Sequence, residues 1–131
     1  MAADAHGSGA DFEAVQDLEF MDLLAYIYLQ HGLPDKAAVL LTARELLAPD
    51  HPRTLLTLAL AWVRSAKPGK ALEVLERLAI LGAMGAQFHL VRAQALQALD
   101  RTDEAASAMR AYIGLLPQEA RVASAAAPAR A

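Results

Sequence analysis

An all-α chain built from repeated helix-turn-helix units is the fold class this sequence predicts, and three observations carry it. From Leu18 the chain repeats itself every 34 residues, giving units 18–51, 52–85 and 86–119 with no insertion or deletion. Apolar residues recur at helical spacing, as in Val15, Leu18, Met21, Leu24, Ala25 and Tyr28. Glycine and proline fall where such helices must stop and start, as at Gly32 and Pro34.

The repeat is carried by columns. The eighth position of each unit is Ala25, Ala59 and Ala93, and the twentieth is Ala37, Ala71 and Ala105. Two antiparallel helices approach closely only where neither carries a bulky side chain, so small residues belong at both places. Leu41, Leu75 and Met109 share the twenty-fourth position, and Leu47, Leu81 and Leu115 the thirtieth. A helix-turn-helix unit of this length resembles the tetratricopeptide repeat, over about 102 of the 131 residues. The expected architecture is therefore a tetratricopeptide-repeat solenoid of three units.

In chain order, residues 1–13 are small, polar and acidic, and are expected to form a disordered lead-in. The repeat region is 14–119. Its first helix starts near Ala14 and ends at Gly32; the second, about Asp35 to Ala48, ends at Pro49. The most apolar stretch is 54–63, fenced by Arg53 and Arg64. It carries one stripe at Leu55, Leu58, Ala59 and Trp62 and another at Leu56, Leu60 and Val63, the pattern of a helix covered on both sides. Ten residues, eight of them apolar, fall short of the roughly 20 that span a bilayer, so no membrane insertion is expected. Unit two lacks a closing proline and has Gly82, Ala83, Met84 and Gly85 instead, where a hinge is expected. Arg92 stands where units one and two have Leu24 and Leu58; its stem is expected to lie along the core with its head in water. Residues 120–131 form an alanine-rich tail, of which 118–126 is a candidate for a short capping element and the final few residues are expected to be disordered.

Composition narrows the function classes. With no cysteine there is neither a disulfide framework nor a thiolate metal site. The net charge of −3 conceals an acidic head: Asp4, Asp11, Glu13, Asp17, Glu19 and Asp22 precede any Lys or Arg. The remaining bases are spread rather than clustered, which excludes a nucleic-acid footprint. The opening residues have no basic leader or apolar run, so a cytoplasmic location is expected. His6, His31, His51 and His89 lack partners at metal-ligand spacing, with His31 and His51 at helix ends and His89 beside Leu90. No phosphate loop, nucleophile elbow or Cys/His pair is present, so neither catalysis nor a cofactor is expected.

What remains is binding. In tetratricopeptide arrays, positions 2, 5, 9, 12 and 13 of the first helices line a concave groove. Here that face takes Glu19, Asp22, Tyr26, Leu29 and Gln30; then Arg53, Leu56, Leu60, Val63 and Arg64; then Gln87, Leu90, Gln94, Gln97 and Ala98. The family's clamp for C-terminal carboxylates needs Lys and Asn where Asp22 and Tyr26 stand. An apolar-centred groove suits an amphipathic helix or an extended apolar segment instead. The residues expected to bind a partner are Tyr26, Leu29, Arg53, Leu56, Leu60, Val63, Arg64, Leu90 and Gln94. Left without a partner, the same face can be covered by a homodimer.

The run Tyr28-Leu29-Gln30-His31-Gly32 leading to Ala37-Ala38-Val39-Leu40-Leu41, and Arg92-Ala93-Gln94 followed by Asp103-Glu104-Ala105, resemble the YscY-type (SctY) chaperones of bacterial type III secretion systems. That resemblance implies a partner: a small secreted component of the YscX type, held in the cytoplasm and presented to the export gate. The related YscG-type chaperones of the needle subunit share the architecture and remain the alternative, as does a homo-oligomeric or peptide-binding scaffold.

Overall fold

The structure, a computed structural model, describes the backbone of residues 2–126 and the side chains of residues 11–117. Among the described residues there are six helices and no strand: α1 (Ala2–Gln30), α2 (Pro34–Leu47), α3 (Pro52–Arg64), α4 (Pro68–Ile80), α5 (Ala86–Ala98) and α6 (Thr102–Ala126). They pair as hairpins, α1 with α2, α3 with α4 and α5 with α6. Successive hairpins stack, α2 on α3 and α4 on α5, while α3 also touches both α1 and α5. This is an all-helical solenoid of helix-turn-helix units.

The same turn closes the first helix of every unit. Gly32, Ala66 and Asp100, all at the fifteenth position, take left-handed backbone with φ of 71°, 60° and 58°. Around them the amide pairs run 6→1 and 5→2: Leu33 N–H to Tyr28 C=O (2.8 Å) and Gly32 N–H to Leu29 C=O (3.2 Å) in unit one. Lys67 to Trp62 (2.9 Å) with Ala66 to Val63 (3.1 Å), and Arg101 to Leu96 (3.0 Å) with Asp100 to Gln97 (3.1 Å), repeat it. Only the first unit uses glycine, the residue for which this backbone carries no steric cost. Pro34, Pro52 and Pro68 then open α2, α3 and α4, where a missing N–H loses nothing.

The core follows the alanine columns. Ala25, Ala37, Ala59 and Ala71 are fully buried, so α1 meets α2 and α3 meets α4 at close range. Leu41, Leu55, Leu58, Leu75 and Leu78 fill the space between units, joined by Phe88, Val91 and Ala95 from one side of α5. The other side of α5 forms a separate small cluster, Ala93 and Leu96 with Ala105 and Ala108 of α6, linked to the first through Leu72.

Two boundaries differ from the sequence expectation. The segment expected as a disordered lead-in, 1–13, is helical from Ala2, continuous with α1. No proline interrupts it, and Ala2, Ala3, Ala5, Ala10 and Ala14 favour helix against the cost of Gly7 and Gly9. At the other end α6 runs through Pro117 to Ala126, so most of the expected tail 120–131 continues a helix; residues 127–131 lie outside the described residues. A proline inside a helix removes one hydrogen bond, here at an exposed position where water can take the freed carbonyl.

Candidate functional site

A cleft of about 950 Å³ lies between α1 and α3, bounded at one end by the α2–α3 loop. Val15, Leu18, Leu23 and Tyr26 of α1 form an apolar wall, and Arg53 and Thr57 of α3 stand opposite. Val15, Leu23 and Tyr26 are exposed, so this wall faces solvent.

A polar network makes the floor. Asp22 lies at its centre: its carboxylate takes the Arg44 Nε–H at 3.2 Å and the Thr54 hydroxyl at 2.9 Å. Arg44 also donates to the Ala48 carbonyl at 2.9 Å, satisfying the end of α2. His51 caps α3, its Nδ1 accepting the Thr54 N–H at 3.4 Å. Helices α1, α2 and α3 are thereby joined by one hydrogen-bonded set whose Arg44 and Thr54 are buried. A second tie runs along the outer helices, where Arg77 of α4 reaches Glu45 of α2 and, at 2.7 Å, Asp50. Hydrogen bonds that it donates to Asp50 and Glu45 hold the Arg77 guanidinium pKa above its ordinary value.

The expected groove residues divide into three groups. Tyr26, Arg53, Arg64 and Gln94 are exposed. Leu56, Leu60, Val63 and Leu90 are half-buried; the first three rest on the main core with one side open. Leu29, only 6 % exposed, belongs to the core and offers no contact surface. Its register position is that of Val63, which is half-buried, whereas Leu29 lies in the core cluster with Ala25, Ala37 and Ala38. Asp22, expected on the groove surface, is committed to Arg44 and Thr54. Those partners lie 22 and 32 residues away, beyond any local pattern. Val15 and Leu23 were missed because the groove was counted from Leu18 by repeat position, although Val15 already stood in the helical series.

The third unit offers a smaller space, about 320 Å³ between α4 and α5, lined by Leu72, Phe88, Leu96 and the stem of Arg92. Beside it His89 packs edge-on against Phe88, ring centroids 5.1 Å apart. Burial, and then the charge of Arg92, push its pKa below the ordinary 6.5.

Among the described residues no cluster of His, Cys, Asp and Glu is placed to hold a metal, and no helix is long and apolar enough to cross a membrane. The cleft offers shape, an apolar wall and fixed charges, which is binding chemistry. No protein-family model matches this sequence, and comparison with curated proteins finds no significant relative.

Proposed function

We propose that the chain is a chaperone of a type III secretion system, of the YscY type, which takes an amphipathic segment of a small YscX-type secreted component into the face formed by α1, α3 and α5. The observation that carries this reading is the cleft with its exposed Val15, Leu23 and Tyr26; on α3, Leu56, Leu60 and Val63 are half-open against the main core. An apolar strip of this kind on a helical array accepts the apolar face of a helix or extended segment, and exposed charges at Glu19, Arg53 and Arg64 set its direction. An export substrate that exposes such a segment self-associates; covering it keeps the substrate single. Burying a few hundred Å² at roughly 25 cal/mol per Å² yields several kcal/mol before ordering costs reduce it.

The test is co-expression with a YscX-type protein and, separately, with a needle subunit, followed by light scattering. The expected result is a one-to-one complex with the first, lost in Tyr26→Asp and Leu60→Glu while helical circular dichroism is retained. Tyr26 is exposed, so its replacement isolates binding from folding. A complex with the needle subunit alone would move the assignment to the YscG type, and binding by folded variants of both kinds would overturn the site.

A further inference from the structure

Both ends of the solenoid present, uncovered, the positions that its interior junctions bury. The third, sixth and tenth positions of a unit face the unit before. In unit three these are Phe88, Val91 and Ala95, all buried; in unit two they are Thr54 and Ala61, buried, and Thr57, half-buried. In unit one they are Phe20, Leu23 and Ile27, which are 62 %, 55 % and 38 % exposed. The opposite end behaves the same way. The twenty-fourth and twenty-eighth positions face the following unit: Leu41 and Glu45 are buried in unit one, Leu75 and, in part, Ala79 in unit two. In unit three they are Met109 and Ile113, exposed along α6 with Leu116 one turn on.

Solenoids ordinarily close their ends with polar caps. Here the first unit's outward positions are larger and more apolar than their counterparts in unit two. We propose that these two faces dock on each other in trans: the α6 face of one copy, Met109, Ile113 and Leu116, packs on the α1 face of another, Phe20, Leu23 and Ile27. The α1 face is also the outer side of the cleft wall through Leu23.

Charge selects this head-to-tail pairing over two α1 faces meeting. Up to Asp35 the chain holds seven acids (Asp4, Asp11, Glu13, Asp17, Glu19, Asp22, Asp35) and no Lys or Arg. From the start of α6, residues 102–131 hold Arg110, Arg121 and Arg130 against Asp103, Glu104 and Glu119, a net charge of zero among side chains. Two α1 ends therefore repel each other, whereas α6 sets no net charge against α1. Such a contact is heterologous and does not close on itself, so copies add in series. The patch is small, on the order of 1,000 Å² in total against about 1,600 Å² for a standard stable complex, which makes the association weak and concentration-dependent.

Sedimentation equilibrium of the full chain tests this. The expected result is an average mass that rises continuously with concentration. Leu23→Glu and Ile113→Glu, both at exposed sites, each leave a folded monomer and raise the concentration needed for association at least tenfold. Mixed together they form a one-to-one dimer and nothing larger, because each retains one intact and complementary end. A wild-type mass that stays monomeric at every concentration overturns the proposal. So does a closed dimer abolished by Leu23→Glu and not restored by mixing, which assigns the α1 face to itself.

Discussion

The junction between units one and two and the junction between units two and three are made of the same parts, helix against helix at the same repeat positions, and are held differently. The first is tied twice by charge, through Asp22 with Arg44 and Thr54 on the inner side and through Arg77 with Glu45 and Asp50 on the outer. The second has the glycine-flanked loop 82–85, an unfilled space and an arginine stem at its core position. A buried charge pairs at one separation and one angle, and any displacement leaves it unpaired; apolar contacts slide at small cost. The first junction fixes an angle between units, while the second is held by the apolar packing of Phe88, Val91 and Ala95 alone among the contacts described.

The largest effect expected is from breaking the inner tie. Asp22→Ala leaves the Arg44 guanidinium, its side chain buried, without its carboxylate, and should cost about 3 kcal/mol in urea unfolding. Next is Arg77→Ala, about 2 kcal/mol, because Glu45 is buried, its Oε2 already has no hydrogen-bond partner, and Arg77 is its cation. Both unfolding transitions can be followed by the single tryptophan, Trp62, over which Lys67 and Lys70 stand at 5.3 and 4.6 Å. Arg92→Leu sharpens the contrast from the other side. Restoring the leucine that units one and two carry puts a wholly apolar side chain at a half-buried position and should raise stability by about 1 kcal/mol.

Smaller effects come from within units. Ala66→Gly relieves left-handed backbone on a residue with a Cβ, offset by the extra freedom of glycine when unfolded, for a net gain of about 0.5 kcal/mol in thermal unfolding. The smallest is acid sensitivity at His89. Its folded pKa lies below 6.5, so the unfolded chain binds the proton more readily; stability is full above that value and is lost as pH falls below it. His89→Gln should flatten the fall in melting temperature between about pH 7 and pH 5, by under about 1 kcal/mol.

How much of this was legible follows from where each signal resides. The helix pairs were readable because alanine columns, Gly32 and the prolines are local and recur in register. The cleft was partly readable: Tyr26 and Arg53 line it, whereas Leu60 does not and Leu29 lies in the core. The charge ties were not, since an aspartate on a helix face looks solvated until the fold brings an arginine to it. Pro117 misled because proline ends most helices yet is tolerated where its freed carbonyl meets water.

The turn at Gly32, Ala66 and Asp100 bears on how the chain reaches its structure. Each closes a loop of a few residues, so each hairpin can form before any distant segment arrives, and the entropy of closure is met in small steps. Assembly along such a chain proceeds by neighbour addition. The charge-tied pair, α1 to α4, is the natural nucleus, and α5 with α6 joins last and leaves first. In native-state hydrogen exchange, amides of α5 and α6 should therefore open at lower free energy than those of α2 and α3.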